Sequence, residues 1–253
     1  MRLIVRLTLL CALFYLCICV GLYWAQDKLI FPSHLVTYAS VGKHLTIPTD
    51  QGNTYVLIRD KQSSCDVIYF GGNAEAVDAS QADLVRAFQH CNILSMVYRG
   101  YGQSDGTSSQ THLFADALAL YRLRQKTTQR FFVVGRSLGA SVATYLASQV
   151  AVSQLTLVTP FDSLHQLVHQ KFPGLPTDLL LKHSFASDEF ARSVTAPVHI
   201  ILAEDDEIIP AQHTLVLKAA FIRTQAQLTR LEKVGHNTID EHPAYISTLG
   251  RLL

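Results

Sequence analysis

The chain has 253 residues, long enough for one α/β domain with a full core. Nearly half of them are hydrophobic and 16% are charged, which excludes a disordered or highly solvated protein. A net charge of +1 gives no electrostatic case for a nucleic-acid partner, and no Cys-x-x-Cys pair or Cys/His cluster stands at zinc spacing.

From Leu7 to Gln26 the chain carries no charge and is mostly Leu, Cys, Ile, Val, Phe and Tyr. As a helix rising about 1.5 Å per residue, this run reaches about 30 Å, the thickness of a hydrocarbon core. Arg2 and Arg6 precede it, and Tyr23 and Trp24 end it like an interfacial aromatic belt. A cleaved signal peptide is the competing reading, but its apolar core would be shorter and a small-x-small site is missing near Ala25. An uncleaved anchor over 1–27 accounts for the run better than a buried core helix does. It predicts a single-pass membrane protein whose domain, 28–253, lies on the non-cytoplasmic side.

Asp27–Lys43 reads as irregular. His44–Pro48 and Thr54–Arg59 are short β-rich runs joined by a plausible hairpin at Asp50-Gln51-Gly52-Asn53. An alternation follows. Strand Asp66–Phe70 precedes helix Ser80–His90, and strand Asn92–Tyr98 precedes helix Thr111–Lys126. Strand Arg130–Val134 leads into helix Leu138–Val150, then strand Gln154–Thr159. Strands Val198–Ala203 and Ala226–Leu231 flank helix Ala211–Ile222, and a last helix is expected from Thr238 to about Arg251. Such alternation predicts an α/β fold with a mostly parallel sheet of eight strands, the first two antiparallel, and helices on both faces.

The segment 161–195 interrupts that rhythm. Pro173, Gly174 and Pro176 break it, while Leu164, Leu167, Val168, Phe172, Leu179, Leu180, Leu181 and Phe185 make it apolar. It is either a lid over the site or a pair of packed helices with no gating role.

Between Val134 and the helix after it stands Gly135-Arg136-Ser137-Leu138-Gly139, the G-x-S-x-G pattern of a nucleophile elbow. A serine at the apex of a strand-to-helix turn is strained, and the residues two before and two after must be small for strand and helix to close around it. An ordinary junction with serine as helix cap is the bland alternative. A phosphate-cradling turn fits poorly, because neither G-x-G-x-x-G nor Gly-Lys-Ser/Thr is present.

A serine nucleophile needs a base and an acid that orients the base. Of eleven histidines, only His236 sits in a short loop directly after a strand with a helix behind it, in Val234-Gly235-His236-Asn237. His213 falls on an expected helix, His199 inside a strand, and His165, His169 and His183 in the 161–195 segment. Glu204-Asp205-Asp206-Glu207 follows strand Val198–Ala203 at the end where parallel sheets bind ligands. The order serine, acid, histidine is that of this mechanism on an α/β-hydrolase sheet. Phe70-Gly71-Gly72-Asn73 ends the first parallel strand and suits an oxyanion hole, with the N–H of Leu138 as its partner.

These residues carry a resemblance. The ordered set Phe70-Gly-Gly-Asn-Ala, Tyr98-Arg-Gly-Tyr-Gly-Gln-Ser, Gly135-Arg-Ser-Leu-Gly, Thr159-Pro-Phe-Asp-Ser-Leu, Ala196-Pro-Val, Asp206-Glu-Ile-Ile-Pro and Gly235-His-Asn is similar to the small α/β-hydrolases of the abhydrolase-domain class, in particular the membrane-anchored, serine-aminopeptidase-like branch. The resemblance implies the acid role for Asp206 rather than Asp205, and oxyanion N–H groups from Asn73 and Leu138. Tyr98 and Arg99 read as structural, holding the loop beside the site, with a direct role in substrate binding as the alternative. Two departures stand out: Gly71-Gly72-Asn73 where the family usually has His-Gly-Asn, and Ala203 where it has glycine. The first removes a side chain that would brace the oxyanion loop.

The expected protein is a membrane-tethered serine hydrolase with no metal or organic cofactor, acting on a small-molecule or lipid-like acyl ester or thioester. A peptidase of the serine-aminopeptidase-like type, or a non-catalytic partner-binding module on the same scaffold, are the alternatives. In the strand order that the resemblance implies, Asp66–Phe70 and Asn92–Tyr98 are neighbours, which puts Cys65 beside Cys91. The pair is then either a disulfide or two buried thiols that never meet.

Overall fold

Strands whose residues are apolar on both faces must lie in the middle of a sheet covered on both sides. Such strands make up most of the computed structural model, which describes residues 1–38 and 42–252. The eight strands are β1 (His44–Thr49), β2 (Gly52–Arg59), β3 (Cys65–Phe70), β4 (Asn92–Val97), β5 (Arg130–Arg136), β6 (Gln154–Val158), β7 (Val198–Ala203) and β8 (Ala226–Leu231). Every residue of β3, β4, β6 and β7 is buried, whereas β8, at the edge, is only partly so. One sheet runs β1-β2-β4-β3-β5-β6-β7-β8. The pairs β1–β2 and β2–β4 are antiparallel and the rest are parallel, the expected α/β sheet.

The helices are α1 (Arg2–Ile30), α2 (Val77–Ala87), α3 (Gln110–Arg124), α4 (Leu138–Gln149), α5 (Leu164–Lys171), α6 (Thr177–Leu180), α7 (Ser187–Ala191), α8 (Ala211–Ala220) and α9 (Tyr245–Leu249). α2 packs with α9 in one layer; α3, α4, α7 and α8 pack in succession in the other. Three expectations need correcting. The helix expected from Thr238 to Arg251 is a 3-10 turn, Ile239–Glu241, followed by the short α9. Pro243 lies between them, and a proline removes a helical N–H and disfavours helix in the residue before it. The helix expected at Ser80–His90 begins earlier, at Val77. The irregular stretch expected over 27–43 is helical as far as Ile30, and its residues 39–41 lie outside the described residues. α1 is long and apolar enough to cross a membrane by length and composition.

At the other end of the sheet from the site, Cys65 and Cys91 precede β3 and β4, whose register pairs Asp66 with Asn92. Their Cα atoms are 4.7 Å apart and the two are disulfide-bonded. Beside them the fully buried Asp66 accepts from Arg124 Nε at 2.7 Å, Thr128 Oγ1 at 2.6 Å and Asn92 Nδ2 at 2.6 Å. A buried carboxylate so paired pins β3, β4 and the end of α3 together.

The sheet's strand order reverses between β3 and β5. β4 lies on one side of β3 and β5 on the other, so the loops after β3 and β5 part and leave a crevice at their C-terminal ends. The closeness of α4 to that crevice depends on glycine. A Cβ on Gly139 would overlap the carbonyl oxygens of Phe70 and Gly71, and one on Gly135 would overlap Gly139 and lie 2.7 Å from Ala140 Cα.

Two measurements test this account of the frame. Non-reducing mass spectrometry of alkylated protein should find Cys65 joined to Cys91. Replacing both by serine should cost roughly 3 kcal/mol for a closed loop of 26 residues. Two alkylated thiols in the domain would refute the bond. Gly139→Ala should destabilise by at least about 2 kcal/mol in denaturant titration, as overpacking does. Gly174→Ala, where an added Cβ meets nothing within 4 Å, should be close to neutral.

Candidate active site

Ser137 joins β5 to α4 with φ of 52° and ψ of −118°. A non-glycine residue there is strained by about 1–3 kcal/mol. Its N–H donates to Val158 O at 2.9 Å, which ties the turn to β6. The strained turn lifts the side chain off the end of β5, and Oγ lies 3.0 Å from His236 Nε2.

His236 comes from the loop after β8 and is buried. Its Nδ1 is 2.8 Å from Asp206 Oδ2, and the two side chains are 6% and 5% exposed. Asp206 Oδ1 accepts from the N–H groups of Ile208 at 2.9 Å and Ile209 at 2.7 Å. One carboxylate oxygen is thus held by backbone and the other is left for the histidine. Asp205 is exposed, with its N–H bonded to Val234 O at 3.1 Å. Glu207 accepts from the His236 N–H at 3.2 Å. Of the four consecutive acids, Asp206 alone meets the imidazole, and Glu207 steadies the backbone that carries it.

With Nδ1–H donated to Asp206, the Nε2 lone pair faces the serine hydroxyl. This tautomer lets the imidazole take a proton from Oγ while the carboxylate offsets the charge that develops on the ring.

The loop after β3 passes close to Ser137: a Cβ on Gly72 would lie 3.7 Å from Ser137 Cβ. Among the described residues the N–H of Asn73 makes no hydrogen bond within the chain. Leu138 is the first residue of α4, so its N–H has no intrahelical carbonyl to meet. Asn73, Leu138, Ser137 and His236 all line one cavity of about 630 Å³. The sequence places glycine where the family has histidine in this loop, but another residue braces it. Glu75 accepts from Gly72 N–H at 2.8 Å through one oxygen, and from Tyr69 Oη and Ser80 Oγ, each at 2.5 Å, through the other. Tyr98 Oη donates to Gly71 O at 2.8 Å, and Tyr101 Oη to Asn73 O at 2.7 Å. Burial raises the Tyr98 and Tyr101 hydroxyls well above the usual phenol range, so both remain donors. Arg99 turns away from the site and grips Asp116 and Asp50, each at 2.7 Å.

Sequence reasoning missed Glu75 and Tyr101. The signal for Glu75 was an acid three residues beyond Gly72, within reach of that residue's N–H. A second histidine–acid pair was also missed. His213, on α8, has Nδ1 2.7 Å from Asp162 Oδ1 and its Nε2 against Gln170 Oε1. Both nitrogens are occupied and no hydroxyl faces them, so the pair ties the 161–195 segment to α8.

Much of the cavity wall comes from that segment. Leu164, Leu167, Val168, Phe172, Leu180 and Leu181 line it, with Phe161 and Leu175. Leu179 is 82% exposed, and Phe185 is buried against Phe31 and Phe114 in the core. Leu22, Gln26, Leu29 and Ile30 of α1 complete the wall. Among the described residues no group of His, Cys, Asp or Glu is arranged to hold a metal ion.

No protein-family model matches the chain. It is 36% identical over 231 residues to the uncharacterized protein Rv2307c of Mycobacterium tuberculosis, covering 85% of this chain and 82% of that one. The lysophosphatidylserine lipase ABHD12 of Danio rerio is 31% identical over 141 residues, 48% of this chain and 37% of the relative. The alpha/beta hydrolase domain-containing protein 17C of Xenopus tropicalis is 30% identical over 168 residues, 65% and 53% respectively. The matches thus span about half or less of the two named abhydrolase-domain relatives. In fold, the chain is similar to the Pyrococcus furiosus esterase Pf2001, with a TM-score of 0.68 at 18% identity, over 87% of this chain and 91% of that one. The chain belongs to one family with the Mycobacterium tuberculosis protein, is similar to abhydrolase-domain proteins over part of their length, and has the α/β-hydrolase fold.

Proposed function

We propose that the protein is a membrane-tethered serine hydrolase that cleaves an acyl ester or thioester through Ser137, His236 and Asp206. The observation that carries this reading is the hydrogen-bonded chain from Asp206 Oδ2 through His236 to Ser137 Oγ inside a largely apolar cavity. Ser137 Oγ attacks the acyl carbonyl as His236 Nε2 takes its proton. The N–H groups of Asn73 and Leu138 meet the oxyanion, one such donor being worth about 10²–10³ in rate. His236 returns the proton to the leaving oxygen or sulfur, and the acyl group stays on Ser137. Water then enters and attacks the acyl carbonyl as His236 takes its proton; His236 passes that proton to Ser137 Oγ as the acyl–oxygen bond breaks and the acid leaves.

The cavity wall favours a hydrocarbon chain: apart from Thr177, its lining from α5 to Leu181 is Leu, Val and Phe. The lipase named among the relatives is consistent with that class. α1 supplies the tether, with Arg2 and Arg6 holding its start on the cytoplasmic side.

Labelling of detergent-solubilised protein by a fluorophosphonate, together with p-nitrophenyl ester kinetics, tests the reading. Ser137→Ala or His236→Ala should lower kcat by about 10⁴–10⁶, and Asp206→Asn by about 10⁴. Asp205→Asn should stay within about twofold, since its carboxylate is solvated. Glu75→Ala should lower kcat by about tenfold or more with KM little changed, because a loosened oxyanion loop affects the transition state more than substrate binding. Full activity without Ser137 would overturn the mechanism, and equal losses from Asp205 and Asp206 would overturn the assignment of the acid.

A further inference from the structure

α1 is more than an appended segment. Leu22, Gln26, Leu29 and Ile30 stand at i, i+4, i+7 and i+8, one stripe of a helix. That stripe forms a wall of the same cavity that Ser137 and His236 line. At about 1.5 Å per residue, the wall from Leu22 to Ile30 is about 12 Å long. It is fixed in place by polar contacts that a freely swinging tether would lack. Gln26 is 7% exposed; its amide donates to Leu180 O at 2.9 Å and accepts from Lys182 N–H at 2.8 Å. Asp27 pairs with Lys182 at 3.1 Å and His183 at 3.0 Å.

Further toward the N-terminus the stripe continues through the buried Cys19 to Tyr15, whose Oη donates to Gly174 O at 2.7 Å. Tyr15 precedes the exposed Trp24 by nine residues, about 14 Å along the helix. The Tyr15 bond holds the turn around Gly174 against the apolar part of α1. Phe172 and Leu179, beside this turn, are 55% and 82% exposed, and the charged Lys171 and Asp178 next to them are exposed too, which suits a turn that meets the bilayer at its surface.

We propose that α1 and the 164–181 segment together form the acyl-binding channel, and that it opens to the bilayer. The substrate is then an amphiphile resident in the membrane, and its medium or long acyl chain runs along α1 to Ser137. This rests on the serine-hydrolase reading above and narrows its substrate class.

The test uses the full chain in lipid discs and a dodecyl fluorophosphonate that carries a diazirine on the last carbon. Ser137 Oγ attacks phosphorus, fluoride leaves and His236 takes the hydroxyl proton, which fixes the chain at the site. Irradiation then expels nitrogen, and the carbene inserts into whichever wall the chain end touches. Peptides from residues 22–30 should carry the cross-link, and an otherwise identical ethyl probe should leave them unmodified. Cross-links confined to 161–181, or absent from α1, would overturn the proposal while leaving the hydrolase reading intact. Labelling of Ser137 by the ethyl probe alone would overturn the channel only, and failure of both probes to label Ser137 would overturn both readings. In parallel, Leu22→Trp should lower the ratio of kcat/KM for dodecanoyl over butyryl esters at least tenfold. Leu10→Trp, elsewhere on the helix and 62% exposed, should leave that ratio unchanged. An unmoved ratio in Leu22→Trp would also count against the channel.

Discussion

The approach of α4 to the end of β3 is the constraint on which the site depends. Ser137 keeps its positive φ because β5 cannot run on and α4 cannot withdraw; Gly135 and Gly139 let the two pack with no side chain between them. The same contact sets the position of the loop after β3. Gly139 sits against the carbonyls of Phe70 and Gly71, so the loop that carries Asn73 is located by the helix whose first N–H belongs to Leu138. One steric fit therefore positions Ser137 and both candidate oxyanion donors. The strain at Ser137, about 1–3 kcal/mol, is small against the burial of α4, nine of whose twelve residues are buried.

Most of the scaffold was legible because its strands are short apolar runs separated by helices of ordinary length. β7 and β8 begin and end where the alternation puts them. The serine, the histidine and the acid were legible for a different reason. Each sits in a loop that follows a strand, where a parallel sheet gathers functional groups at one edge. What stayed hidden depended on contacts between distant segments. Glu75 looks like any loop acid until Tyr69 Oη, Ser80 Oγ and the Gly72 N–H are seen to converge on it. His213 looked inert on its helix, because Asp162, 51 residues away, gives no sign of it in sequence. The last helix was misjudged through Pro243, whose local effect overrode the apolar spacing around it.

The glycine at position 71 illustrates how one function can be kept by other residues. Without a histidine there, the loop is held from three directions: Glu75 on the Gly72 N–H, Tyr98 on the Gly71 carbonyl and Tyr101 on the Asn73 carbonyl. Each partner takes a different backbone group, and among the described residues the Asn73 N–H is left without one. Lying beside Ser137 in the cavity, it is the candidate donor to a substrate oxygen in the reaction we propose.

The same reasoning extends to α1. A helix serving only as a tether needs no buried polar residue near its end, yet Gln26 is buried and its amide is satisfied on both sides by the 180–182 backbone. Burying an amide without partners is costly, so the pairing is specific to this docked arrangement. It locks the helix in one rotation about its axis. The rotation that buries Gln26 turns Leu22, Leu29 and Ile30 toward the cavity and leaves Leu10, Phe14 and Trp24 outward. The docked polar residue thus fixes which face of a largely apolar helix meets the cavity and which faces outward.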